Sequence, residues 1–201
     1  MKLSTCLSTV VGIVLLQTVA SASAAETVKI TGLHLCCGGC VSAVEEALKP
    51  VTGLSEVVVD QELRTATFSA DDDKAIQDAG AAILSAGFFG ELNRNGKTSP
   101  LSIPENAQIA TNTKADRAVF DNVHLCCKNC SRGVTKALAK LGDVVAVDCD
   151  TKARTVTLTG KNMDLSAVAD ALHAGGFFGT LRSESAENTA RASGNKSGKA
   201  R

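Results

Sequence analysis

The sequence predicts an α+β protein of two tandem βαββαβ domains, each an antiparallel sheet with two helices on one face. Three observations predict it. The heptad His34-Leu35-Cys36-Cys37-Gly38-Gly39-Cys40 recurs as His124-Leu125-Cys126-Cys127-Lys128-Asn129-Cys130. Within each copy the apolar spacing alternates between the two-residue period of a strand and the 3.6-residue period of a helix. Each copy closes on Gly-Phe-Phe-Gly, at 87–90 and again at 176–179.

The repeat sets the organisation. The offset is 90 residues through Val44/Val134, Leu48/Leu138, Val57/Val147, Arg64/Arg154 and Thr65/Thr155, and 89 at the closing motif. Domain 1 is expected over 26–94 and domain 2 over 117–182. In domain 1, Val28 and Ile30 alternate with polar residues as a half-buried strand does. Val41, Val44 and Leu48 fall on one helical face. Two β-rich runs, 57–59 and 65–68, are parted by the hairpin-like break Gln61-Glu62-Leu63. A second helix over 71–86 has acidic residues in its first turn, and a short strand follows Gly90. Domain 2 repeats the order. Such an order of strands and helices closes an antiparallel sheet under two helices. With no Trp, no Tyr and six Phe in the chain, the core must come from Val, Leu, Ile and Ala.

The flanks read differently. Residues 1–24 are expected to be a cleaved signal peptide: Lys2, an apolar run from Leu7 to Val19, then Ala22-Ser23-Ala24. The expected location is periplasmic or secreted, with no membrane span once the signal is cleaved. Residues 95–116, with Pro100 and Pro104 among Asn, Thr and Ser, are expected to be a flexible linker. Residues 183–201 are small and polar and are expected to be a disordered tail.

Six of the seven cysteines after residue 24 sit in the two heptads. The spacing of Cys37 and Cys40, and of Cys127 and Cys130, brings two sulfurs to one point when the second opens a helix. Unpaired N–H groups and the helix dipole there favour thiolate. Thiolates select soft ions such as Cu(I) and Zn(II). Cys149 lies in line with Val145 and Val147 and is expected to be a small core hydrophobe.

A strand, a Cys-x-x-Cys loop, a helix and then β-β-α-β ending in Gly-aromatic resembles the heavy-metal-associated domain. The resemblance spans each module end to end. It implies a ferredoxin-like fold and metal held by Cys37 and Cys40, and by Cys127 and Cys130. It also implies that Phe88 and Phe177 shield the site; core packing is the competing role. The loop departs from the family pattern, which usually has Gly-Met-Thr before its first ligand cysteine. Leu35 and Leu125 keep an apolar plug, while His34 and His124 replace Gly, and Cys36 and Cys126 replace a small polar residue. In an extended segment residues two apart point the same way. With Leu35 inward, His34 and Cys36 would face the side where Cys37 and Cys40 meet. Two thiolates suit Cu(I); three thiolates and an imidazole match a tetrahedral zinc site. Cys36 and Cys126 are therefore candidate ligands, and His34 and His124 are candidates for ligation or for a supporting role.

These features point to a metal-binding protein, not an enzyme, carrying Cu(I) or Zn(II) as chaperone, scavenger or detoxifier. A membrane metal transporter or another metal-binding protein would be its partner. A thiol–disulfide oxidoreductase and a disulfide-stapled interaction module are the alternatives. Against the first, the chain lacks Trp and carries only Pro50 within a module. A near-neutral charge balance, 21 basic against 21 acidic residues, gives no reason to invoke nucleic acid. The modules differ in charge, −6 over 26–94 and +3 over 117–182. That difference suggests electrostatic attraction and metal transfer between two separate sites.

Overall fold

A computed structural model describes residues 25–182. The expected signal peptide and tail lie outside the described residues.

Domain 1 runs β1 (Glu26–Thr31), α1 (Gly38–Leu48), β2 (Leu54–Asp60), β3 (Thr65–Ala70), α2 (Asp73–Ser85), β4 (Glu91–Arg94) and β5 (Lys97–Pro100). Domain 2 runs β6 (Lys114–Asp121), α3 (Lys128–Leu138), β7 (Val144–Asp150), β8 (Thr155–Asp164), α4 (Leu165–Ala174) and β9 (Thr180–Leu181). The sheets are ordered β2-β3-β1-β4-β5 and β7-β8-β6-β9, and every pairing is antiparallel. The α+β, tandem ferredoxin-like architecture is thus present.

The periodicities explain the packing. In β1, Val28 and Ile30 are buried while Thr27 and Lys29 are exposed. Cys40, Val44 and Leu48 of α1 make the buried stripe that faces them, at the i, i+4, i+8 spacing of a helix. Asp72 caps α2 by accepting from the Ala75 N–H at 2.7 Å, which satisfies one of the orphan donors of the first turn.

Two stretches differ from expectation. The segment expected as a flexible linker is structured in part: β5 pairs with β4, Leu101 is buried, and Glu105–Ala107 forms a single 3-10 turn. The cause is legible in Asn95-Gly96, both at positive φ (51° and 73°). That dipeptide is a favoured two-residue hairpin turn. Leu101 then folds back over Gly80, where a Cβ would lie 3.3 Å from its methyl group. Val145 does not align with Cys149. A bulge between Val144 and Ala146 shifts the register, which leaves Val145 exposed while Val147 and Cys149 stay half-buried against the core.

Candidate metal centre

Each heptad joins a buried strand end to a helix start. Leu33 and Leu35, like Val123 and Leu125, are buried and pin the loop to its own core. Cys37 and Cys127 are the N-cap residues of α1 and α3. Cys40 and Cys130 lie one turn in, on the buried stripe, with no exposed surface. The helices therefore open two residues before Cys40 and Cys130, and it is Cys37 and Cys127 that stand at the N-cap positions. Hydrogen bonding from the Cys40 backbone, helped by Gly39, lowers the Cys37 thiol to about 7.

The two loops do not form two separate sites. They meet, and six sulfurs gather at one point between the domains. Within domain 1, Cys36 and Cys37 each lie 3.7 Å from Cys40. Within domain 2, Cys126 lies 3.6 Å and Cys127 3.9 Å from Cys130. Across the interface, Cys40 lies 3.5 Å from Cys126 and 3.9 Å from Cys130. Cys36 lies 3.6 Å from Cys130 and 3.8 Å from Cys127, and Cys37 lies 3.5 Å from Cys126. Such separations are far beyond the roughly 2.05 Å of a disulfide, and all seven described cysteines are free thiols.

The interface that joins the loops is nearly two-fold symmetric. The Gly87 carbonyl accepts from the His124 N–H at 3.3 Å and the Phe178 N–H at 3.0 Å. The Gly176 carbonyl accepts from the His34 N–H at 3.4 Å and the Phe89 N–H at 3.1 Å. Both glycines have positive φ, and each packs so closely that a Cβ would fall 2.4 Å from the His124 nitrogen or 2.5 Å from the His34 nitrogen. Turn geometry alone does not explain them; contact with the opposite loop also requires glycine.

His34 and His124 stand against these contacts. His34 stacks on Phe177 and His124 on Phe88, each at 4.2 Å between ring centroids. Phe88 and Phe177 have no exposed surface and bridge to each other. They lie behind the imidazoles of the opposite domain and fill the core. Gly133 makes room for His34: a Cβ there would lie 2.5 Å from the ring. His124 is 7% exposed. Burial lowers its pKa, and a backbone hydrogen bond with Ala86 opposes the shift. The Nε2 atoms of His34 and His124 are buried without a hydrogen-bond partner, a costly state for a polar atom unless something fills it.

Ligand atoms of Cys40, His124, Cys126 and Cys130 all lie within 4.8 Å of one another, as do those of His34, Cys36 and Cys130, and those of Cys36, Cys37 and Cys127. Without a cation this many thiols cannot all ionise. Burial first, then Cys130, pushes Cys36 up to about 12, and burial also raises Cys126. Cys130 is pulled down by its hydrogen bond with Cys40, whose own thiol that bond raises. The pair in effect shares one proton.

Two residues that the sequence gave no role complete the surroundings. Arg64 donates from Nε to the Leu33 carbonyl at 2.9 Å and from Nη2 to the Gly32 carbonyl at 3.2 Å. Arg154 donates from Nη2 across the interface to the Ala86 carbonyl at 2.7 Å. Their match across the repeat was the available signal. Both line shallow clefts beside the sulfurs, one with His124, Cys126 and Glu46, the other with His34, Cys36, Lys136 and Lys140.

Comparison with known proteins gives the following. The family model described as heavy-metal-associated domain matches residues 17–89 and 119–178. Among solved structures, oxidized MerP from Ralstonia metallidurans CH34 is 19% identical over 33% of this chain and 94% of its own, with a TM-score of 0.31. The N-terminal soluble domains of Bacillus subtilis CopA are 17% identical over 81% of this chain and 97% of theirs, at the same TM-score. The water-soluble region of the P-type ATPase CopA from Bacillus subtilis is also 17% identical, over 88% and 99%, again at 0.31. Comparison with curated proteins found no match.

Proposed function

The chain belongs to the heavy-metal-associated domain family, and from that membership we propose that it is an exported protein that binds soft metal ions, Cu(I) or Zn(II), through its cysteine clusters. One observation carries the reading: six free thiols and two unpartnered imidazole nitrogens converge on one point between the modules. Soft thiolate and imidazole donors select this class of ion. The donors are found among these six clustered sulfurs, with His34 and His124 beside them.

Enclosure favours retention over rapid transfer. Cys40 and Cys130 have no exposed surface, so release requires the interface to open. The role is therefore closer to scavenging or detoxification than to fast delivery. A membrane transporter or a second metal-binding protein would act as partner only by prising the modules apart. Cys126 is exposed and Cys37 half-buried, so these are the first sulfurs a partner would meet. Among the described residues no helix is long and apolar enough to cross a membrane.

The test is titration of the reduced protein with Cu(I), Zn(II) and Hg(II), each against a competing chelator. Tight binding that is lost when all six cluster cysteines become serine is the expected result. No appreciable affinity for any of the three ions would overturn the reading.

A further inference from the structure

The clustered donors can be divided by coordination geometry and charge. A tetrahedral ion with metal–sulfur bonds of about 2.3 Å needs sulfurs about 3.8 Å apart. Cys40, Cys126 and Cys130 form a triangle with edges of 3.5, 3.6 and 3.9 Å. Cys36, Cys40 and Cys130 form its counterpart, with edges of 3.7, 3.6 and 3.9 Å. The triangles share one edge, Cys40–Cys130. A ring nitrogen of His124 lies within 4.8 Å of every sulfur in the first; one of His34 lies within that distance of Cys36 and Cys130 in the second.

We propose that the centre is dinuclear, with two divalent thiophilic ions of the Zn(II) class bridged by Cys40 and Cys130. One ion is completed by Cys126 and His124, the other by Cys36 and His34. The proposal rests on the metal-binding reading above and adds the number of ions, their shared ligands and their charge class.

Three further observations support it. First, it occupies the two orphaned Nε2 atoms. Phe88 and Phe177 hold the rings flat, and Gly133 leaves the gap that His34 enters. Second, charge balances. The four cysteines bind two divalent ions as thiolates and release to solvent the protons they still hold, with no electron transferred. Two divalent ions, four thiolates and two neutral imidazoles carry no net charge, which suits an enclosed site. Two monovalent ions in the same place would leave two negative charges. Third, no one group holds both imidazoles: His124 falls with Cys40, Cys126 and Cys130, and His34 with Cys36 and Cys130, so a single tetrahedral ion in the first group leaves the His34 nitrogen stranded.

Cys37 and Cys127 are then spare. They occupy the N-cap positions of α1 and α3, and Cys37 lies 3.5 Å from Cys126 and 3.7 Å from Cys40.

The experiment loads the reduced full chain with Co(II) and with Zn(II), counting ions by native mass spectrometry. Two ions per chain are expected, with the strong visible bands of tetrahedral thiolate-bound Co(II). The Co(II) paramagnetic resonance signal should fall between one and two equivalents, because bridging sulfur couples the spins. The double variant Cys37→Ser/Cys127→Ser should keep both ions and the coupling. His34→Ala/His124→Ala should weaken binding at least tenfold and shift the visible bands, with circular dichroism of the apo form checking the fold. Two uncoupled ions that depend on Cys37 and Cys127 would overturn the dinuclear centre while leaving metal binding intact, as would one ion per chain. Absence of binding by Zn(II), Co(II) and Cu(I) alike would instead defeat the metal-binding reading itself.

Discussion

Gly87→Ala is the sharpest probe of the contact that gathers the sulfurs. Gly87 sits at φ +89°, and a Cβ there would lie 2.4 Å from the His124 nitrogen and 2.5 Å from the Asn122 carbonyl oxygen. Backbone strain from a left-handed alanine costs about 1–2 kcal/mol. The clash must also push the opposite loop away. That lengthens two hydrogen bonds accepted by the Gly87 carbonyl, at about 1 kcal/mol each, so the total is roughly 3–4 kcal/mol. Gly96→Ala is the control. It shares a positive φ, +73°, but no atom lies within 4 Å of its Cβ position, so it incurs strain alone. Urea denaturation of the reduced apo protein reads the difference. Small-angle scattering reads whether the modules separate, because both keep their own cores. Equal destabilisation by the two substitutions, with unchanged scattering, would refute the packing of Gly87 against the domain 2 loop.

Three further outcomes follow from the same geometry. Burial lowers the pKa of His124 and His173, so the unfolded chain takes up protons first; apo stability should fall as pH drops below about 6.5. His173→Leu, the residue that copy one has at that position, should flatten part of the slope between pH 7 and 5, and stability that rises on acidification would contradict the assignment. Saturating Zn(II) at about a hundred times its Kd should add about 2.7 kcal/mol and raise Tm by roughly 5–10 °C, read by calorimetry with and without chelator. Sodium chloride at 1 M, which shortens the Debye length to about 3 Å, should leave the scattering profile unchanged. Lys74–Asp78, Arg94–Glu26, Arg94–Asp73 and Arg182–Asp121 are all ion pairs within one module, so separation of the modules by salt would mean that charge joins them after all.

The fold was legible because its signals are local and doubled. Periodicity in β1 and α1, acidic residues at the start of α2 and the paired heptads each specify structure within one module. The β4–β5 hairpin was equally legible in Asn95-Gly96, but the prolines and polar residues around it read as linker. Register in β7 was not, because a bulge depends on how the partner strand pairs, and no spacing in 144–150 announces it. The site was legible as two clusters and not as one. Module-to-module contact depends on surfaces that no single-copy pattern describes. What pointed to it were surpluses: a second Phe in each Gly-Phe-Phe-Gly, a His where the family has Gly, and an Arg kept at 64 and 154. The charge difference between modules pointed elsewhere, since backbone hydrogen bonds and stacked rings carry the contact.

Near-symmetry explains why the departures from the family loop come together. In a two-fold contact every residue meets its counterpart's surroundings. A residue near the axis meets the counterpart itself, and Cys40 and Cys130 do so at 3.9 Å. Such a pair is naturally shared. A residue farther out, such as Cys36 or His34, reaches across to the other module's axial sulfur and belongs to one side only. One module alone would offer its own three sulfurs, with His34 aimed at a Cys130 that is not there. The extra cysteine and the histidine are therefore costs to a single module, an orphaned imidazole and crowded thiols, and in the proposed centre they become ligands only when two copies face each other. The ordered hairpin and Leu101, which begin the connection between the copies, help to hold them in one chain where that meeting is intramolecular.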